Sequence, residues 1–329
     1  MSLHTIVIRM NSISNNSFMI CVPDCEFVCH ARCLSQITRV CVHVAVSERP
    51  EFELRICPEV GLSAAQNFRC AECKNHITFK MCSHFSVRLL NLRGRIVFEH
   101  SWVEPRLCDY SGHYFCPNCH WNTSAVIPAR VVHNWDFEPK RISRAARQLL
   151  KLMMNKPVLL LKEINPQLFA LVEELSLVQG LREELLLMKR YLVECKSAGE
   201  QRLLWLLRSR QHFVESAHLY SLQDLIDINT GELLPFISKV HEIYLNHIKE
   251  ECKLCFGRGY LCELCDDSQV IFPFDSAALS CEVCSNVFHR SCWAKRSPQH
   301  CPRCIRLSER AARLSMNLDD YDSENTAND

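Results

Sequence analysis

No run of apolar residues in this 329-residue chain approaches the roughly eighteen needed to cross a bilayer, so any residence at a membrane has to be peripheral. Neither sign of charge is in excess. Thirty-eight Lys and Arg stand against 37 Asp and Glu, a net charge of +1, which gives no general pull towards nucleic acid or a lipid surface. The first thirty residues hold no continuous apolar segment ending at a small-residue cleavage site, so no secretory signal is expected. The Leu- and Arg-rich middle of the chain lacks cysteine apart from Cys195, and the rest of the 22 cysteines gather towards the two ends. Many of them stand in Cys-x2-Cys pairs. With no export signal, that pattern points to a cytoplasmic zinc protein and not to a disulfide scaffold.

What is present in abundance is metal-ligand spacing. From Cys252 to Cys304 the chain reads Cys252-x2-Cys255, Cys262-x2-Cys265, Cys281-x2-Cys284, His289-x2-Cys292 and Cys301-x2-Cys304. A two-residue loop lets both thiolates reach one zinc ion at about 2.3 Å, and a second pair completes the tetrahedron. Two pairings satisfy the spacing. In one, an interleaved cross-brace joins Cys262, Cys265, His289 and Cys292 on one ion and Cys281, Cys284, Cys301 and Cys304 on another. In the other, Cys252, Cys255, Cys262 and Cys265 close on a single ion, with Gly257 and Gly259 permitting positive φ in a tight knuckle. Every ligand is a thiolate or an imidazole, so the sites are closed and structural. Nothing resembles three protein ligands with an open water position and a general base.

A second group holds Cys70, Cys73, Cys116 and Cys119, a natural four-thiolate site, with Cys108 and His120 beside it. Sixteen ligands make four sites of four, hence about four Zn2+ ions. On this count the two cysteine groups are expected to meet in space, with Cys108 and His120 sharing an ion with Cys252 and Cys255; the alternative is that Cys108 is a buried thiol and His120 an ordinary surface histidine. Nearer the N-terminus, Cys25-x4-His30-x2-Cys33-x7-Cys41, preceded by Cys21, resembles the second half of a phorbol-ester/diacylglycerol-type zinc finger. The first half is missing, so residues 1–45 read as a remnant and lipid binding there is not expected.

Between the cysteine groups the chain reads as helical, over residues 136–250. Ser143 caps a helix running to Met154 and stopped by Pro157. Asn165-Pro166 suits a helix start. From there Leu168, Leu171, Val172, Leu175, Val178, Leu181, Leu185, Met188 and Leu192 make one apolar stripe at helical spacing, on a long helix that Gly180 leaves able to kink. Gly199 is expected to separate this helix from a further one over 201–213. A short helix begins near Ser221, and another runs from about Leu233 to Glu250 directly into Cys252. Lys140, Arg144, Arg147 and Lys151 fall near one face of the Ser143 helix, which reads as a solvated face. Trp135, Trp205 and Trp293 read as packing residues. Residues 314–329 carry five acids and no base, and read as a disordered tail. The fold class is mainly α and zinc-stabilised: a helical domain flanked by N-terminal and C-terminal multi-cysteine zinc clusters.

The motifs CAEC (70–73), CDYSGHYFCPNCHW (108–121), AVIPARVVHNWDFEP (125–139), HLYSLQDL (218–225), CKLCFGRGYLCELC (252–265), IFPFD (271–275) and CEVCSNVFHRSCW (281–293) resemble the Rubicon-homology domain. The resemblance covers roughly residues 46–310, with a zinc cluster at 57–135, a helical part at 136–250 and a C-terminal zinc block at 251–307. Residues 80–105 form a longer connector than the family has, so Cys82 and His84 are excluded as ligands. The resemblance implies a non-enzymatic adaptor that binds the GTP form of a late-endosomal Rab-family GTPase. It further implies a pleckstrin-homology-containing family M adaptor as partner, peripheral location on late endosome and lysosome membranes, and roles in lysosome positioning, autophagosome–lysosome traffic and ruffled-border formation. Cys281, Cys284, His289 and Cys292 are expected to hold the GTPase-binding face in shape.

A RING-type ubiquitin ligase is the alternative, because Cys301-Pro302-Arg303-Cys304 looks like the last ligand pair of a RING finger. The middle ligands run Cys-x2-Cys-x4-His-x2-Cys, where a RING has Cys-x-His-x2-Cys-x2-Cys. A PHD-type histone reader shares the x4-His-x2-Cys step, but normally has an aromatic where this chain has Gln299.

Overall fold

The computed structural model describes residues 19–22, 27–30, 41–77, 104–295 and 300–325. Its helices, in chain order, are α1 (Val42–Glu48), α2 (Pro128–Asn134), α3 (Arg144–Met153), α4 (Leu161–Ile164), α5 (Leu168–Leu171), α6 (Glu173–Val193), α7 (Lys196–Glu200), α8 (Leu222–Asn229), α9 (Leu233–Asn246), α10 (Lys253–Phe256), α11 (Arg290–Ala294) and α12 (Pro302–Asn325). A broken 3-10 segment, Leu203–Val214, follows α7, and a π-helical turn, His247–Glu251, follows α9. The described strands are two to four residues long and pair only as antiparallel two-stranded ribbons. The molecule is largely helical, and no described helix is long and apolar enough to cross a membrane.

The chain divides into two compact units: Met1–Glu173 with His218–Gly231, and Glu174–Ala217 with Glu232–Asp329. In the first, α3 starts where Ser143 accepts the Ala146 N–H at 3.3 Å, the N-cap expected from its sequence. Residues Leu150, Met153, Leu159, Leu161, Tyr220, Leu222 and Leu225 are buried in this unit. The returning segment is fastened by a ribbon of Leu159–Leu160 with Leu219–Tyr220, and by a capping box in which Ser221 and Asp224 each bond the other's backbone N–H.

In the second unit α6 lays Leu175, Val178, Leu185, Met188 and Leu192 into the core with Leu207, Phe213, Ile237, Tyr244 and Phe272. Arg182 is buried on the same helix. It stacks over Phe213 at 4.2 Å and donates to the Ser216 carbonyl at 2.7 Å. α9 is tied to α6 by His241 on Glu184, at 2.5 Å.

Several expectations need correcting. The stripe from Leu168 to Leu192 is not one helix: Val172 is extended (φ −115°, ψ 103°), Leu171 is 77% exposed, and α6 begins only at Glu173. Glu173 and Glu174 supply the acidic first turn that a new helix N-terminus favours. Gly180 lies in an unbroken helix. Asn165 closes α4 and sends its side-chain amide to the Val132 carbonyl, at 3.1 Å, so the next helical turn starts two residues later than expected, after Gln167. Gly199 lies inside α7, and the break falls at Arg202, in the left-handed region (φ 54°). Trp205 is 59% exposed and so is not core. Lys140 is on a strand paired with Thr123–Ala125, and its ammonium pairs with Glu138.

α12 continues through Asn325, across most of the stretch read as an acidic tail. No Gly or Pro interrupts residues 303–325. The connector at 80–105 with Cys82 and His84, and Cys25 and Cys33 of the partial finger, lie outside the described residues, apart from residues 104 and 105 of the connector.

Candidate metal centres

Among the described residues, four groups of side chains bring four ligand atoms each within 4.8 Å of one another: Cys70, Cys73, Cys116 and Cys119; Cys195, His247, Cys252 and Cys255; Cys262, Cys265, His289 and Cys292; and Cys281, Cys284, Cys301 and Cys304. The first lies in the first unit and the other three in the second. Sulfur–sulfur separations of 3.6 Å (Cys73–Cys116), 3.7 Å (Cys195–Cys252), 3.7 Å (Cys281–Cys304) and 3.4 Å (Cys284–Cys301) are far longer than a disulfide. They match the edge of a tetrahedron whose centre binds sulfur at about 2.3 Å, an edge of about 3.8 Å. Thiolate and imidazole donors in closed sets of four suit zinc.

Local backbone builds each half-site. In Cys70–Cys73 and Cys281–Cys284 the residue after the second cysteine turns left-handed (Lys74, φ 60°; Ser285, φ 56°). The chain there folds back, so that the Lys74 N–H meets the Cys70 carbonyl at 3.1 Å and the Ser285 N–H meets the Cys281 carbonyl at 2.9 Å. Such turns aim amide N–H groups at sulfur. The Cys281 thiol is drawn down to about 7, chiefly by the Cys284 backbone N–H, and Cys252 is lowered chiefly by that of Cys255. Cys70 falls to about 4 through the hydrogen bond from the Cys119 thiol. Their neighbours go the other way, Cys73 to about 11 and Cys255 and Cys304 to about 12, with burial the largest cause. Crowded thiols resist losing a second proton unless a cation is there to receive the charge.

The third and fourth groups interleave, the cross-brace among the two pairings that the spacing allowed. The ribbon of Ala278–Ser280 with Val287–His289 places His289, and its Nδ1 lies 3.3 Å from Cys265 Sγ and 3.9 Å from Cys292 Sγ. Cys301 and Cys304 flank the start of α12. The glycines thought to favour the other closure serve differently. Gly257 has φ −64°, and Gly259 is needed because a β-carbon there would overlap Val270 and crowd Phe272.

The second group corrects the sequence reading. Cys252 and Cys255 take their partners from their own unit, Cys195 and His247, and not from Cys108 and His120. Cys108 is fully buried and its sulfur accepts the Ser143 N–H at 3.2 Å. His120 is also buried, and its Nδ1 accepts the Asn122 N–H at 3.1 Å. Burial pushes the His120 pKa down, which favours the neutral ring. Neither joins a ligand group among the described residues. Cys195 caps α7, taking the Ala198 N–H at 3.4 Å, while its sulfur stands 3.4 Å from His247 Nε2.

The π turn explains how His247 and Cys252 converge. The Cys252 N–H bonds the His247 carbonyl at 3.0 Å, five residues back. Residues five apart in an α-helix point about 140° away from each other, and the wider π turn brings them to one side. Two signals were available in the sequence: Cys195 as the lone mid-chain cysteine, and a histidine at the end of the helix leading into Cys252.

The family model described as the Rubicon Homology Domain matches residues 106–309. "Differentially expressed in FDCP 8 homolog" of Drosophila melanogaster is 42% identical over 304 residues, covering 92% of this chain and 57% of the relative. The Caenorhabditis elegans protein of the same name is 38% identical over 294 residues, 87% of this chain and 56% of its own length. "Pleckstrin homology domain-containing family M member 3" of Homo sapiens is 34% identical over 249 residues, 75% of this chain and 29% of that protein. The chain thus spans little more than half the length of the first two relatives. The matched segment holds three of the four ligand groups entire and the Cys116–Cys119 half of the other, and the chain belongs to the Rubicon homology domain family.

Proposed function

We propose that this chain is a non-enzymatic, zinc-folded adaptor of endolysosomal traffic that recognises the GTP form of a late-endosomal Rab-family GTPase. The observation that carries this reading is the family match over a segment built on closed thiolate and imidazole cages. Such cages fold chain and leave no open coordination position for chemistry. Each would hold Zn2+, about four ions in all. The likeness to a pleckstrin-homology family M protein supports a place in the same class of adaptors, and a partner of that kind. Lysosome positioning, autophagosome–lysosome traffic and ruffled-border formation are the roles this reading assigns, with the protein held peripherally on those membranes through its partners.

The knuckles also display apolar side chains: Val283, between Cys281 and Cys284, is 86% exposed, and Leu254, between Cys252 and Cys255, is 76% exposed. Apolar residues held at the tips of rigid turns are suited to anchoring a partner surface. In a pull-down of the full chain, a Rab GTPase loaded with GTP analogue should be captured over its GDP form, and Cys281→Ser with Cys284→Ser should abolish capture. Equal or absent capture in both nucleotide states refutes the reading.

One observation favours a second reading. The interleaving of the third and fourth groups is also the arrangement of a RING finger. Robust chain formation in an autoubiquitination assay with several conjugating enzymes would establish the ligase instead.

A further inference from the structure

We infer that Glu251 is a positioning residue for the Cys195–His247–Cys252–Cys255 centre, orienting His247 by accepting the proton on its far ring nitrogen. The inference rests on the reading of that centre as a zinc site. His247 is buried, and Nε2 is the ring nitrogen turned towards the sulfurs, 3.4 Å from Cys195 Sγ. A nitrogen that gives its lone pair to a metal leaves the ring proton on the other one, Nδ1. That Nδ1 is buried and makes no hydrogen bond. A buried N–H without an acceptor is costly.

The Glu251 carboxylate is the group that faces it, with Oε2 3.8 Å from Nδ1 across the π turn. Glu251 is 60% exposed and so free to change rotamer, and closing by about 1 Å makes a full hydrogen bond. The same π turn that aligns His247 with Cys252 therefore also sets a carboxylate behind the imidazole. A carboxylate there fixes the tautomer and the ring plane and raises the basicity of the ligating nitrogen.

The test uses the full chain, with zinc counted by native mass spectrometry and its release followed by chelator titration. Four zinc ions are expected in the parent protein and three in Cys195→Ser. Glu251→Ala should leave four, one of which is lost at 10- to 100-fold lower chelator concentration. Glu251→Gln, which keeps a carbonyl acceptor, should recover most of that loss. In a His247→Cys background there is no imidazole to orient, and Glu251→Ala should then change nothing. A slowly exchanging His247 Nδ1 proton should be visible by NMR in the parent and lost or shifted in Glu251→Ala, a readout that does not depend on the double variant folding. Unchanged zinc release and an unchanged Nδ1 proton in Glu251→Ala would overturn the inference, as would an equal loss in the His247→Cys background. The same ion count in Cys195→Ser as in the parent would refute the zinc reading of the centre itself, and this inference with it.

Discussion

Gly112 and Gly180 are both glycines, and the structure asks opposite things of them. Gly112 has φ +70°, and a β-carbon there would overlap the Pro58 carbonyl oxygen. It closes the turn after Cys108, donating to the Cys108 carbonyl at 2.8 Å, and its own carbonyl accepts the Val60 N–H at 2.8 Å. Gly180 sits in mid-helix with nothing within 4 Å of where a β-carbon would be. Gly112→Ala should therefore cost at least about 2 kcal/mol. Gly180→Ala should add about 0.5–1 kcal/mol. Denaturant unfolding of the two variants checks both signs. The sequence shows two glycines with equal claims to conformational freedom, and only the backbone around each one separates them. Paired cysteines are different. A Cys-x2-Cys step brings both sulfurs to one side of a tight turn whatever lies beyond, which is why fourteen of the sixteen proposed ligands could be named from spacing and two could not.

Among the elements, helix starts with a local polar signature are where the sequence reading holds. Ser143 and Ser221 cap α3 and α8 as their sequences indicate, since the bonds that stop backbone fraying reach only two or three residues. Ser221→Ala should lower stability by about 1 kcal/mol, and Asp224→Ala by a similar amount. Because each side chain serves the other's backbone N–H, the double variant should lose less than the sum of the two, measurable as a thermodynamic cycle. Apolar spacing was a weaker guide. It ran straight through Val172, where the chain is extended, because Leu168 and Leu175 are both buried although they belong to different helices. A stripe of leucines reports burial and not helical continuity. The π turn after α9 was not legible either, since a helix with one residue too many looks like any other helix until its end must meet a fixed point, here the centre shared with Cys195.

At the scale of the whole molecule, the ligand sets make a discriminating prediction. Cys195→Ser should lower the zinc count by one, while Cys108→Ser should leave it unchanged, although Cys108 stands among ligand cysteines and Cys195 stands alone. Native mass spectrometry of the two variants distinguishes this partition from one in which Cys108 and His120 serve as ligands. The class of molecule is legible in the unfolded chain: too little continuous apolar sequence to span a bilayer, balanced charge, thiol and imidazole pairs at zinc spacing, and motifs dense enough to place it in its family. Those are properties of composition and short-range order, which the covalent chain carries without folding. Which pairs join was decided by tertiary structure alone. Cys195 and Cys252 are 57 residues apart, and no short-range rule connects them. They meet because α6 and α9 bury their apolar faces in one core, which carries the end of each helix to the same point.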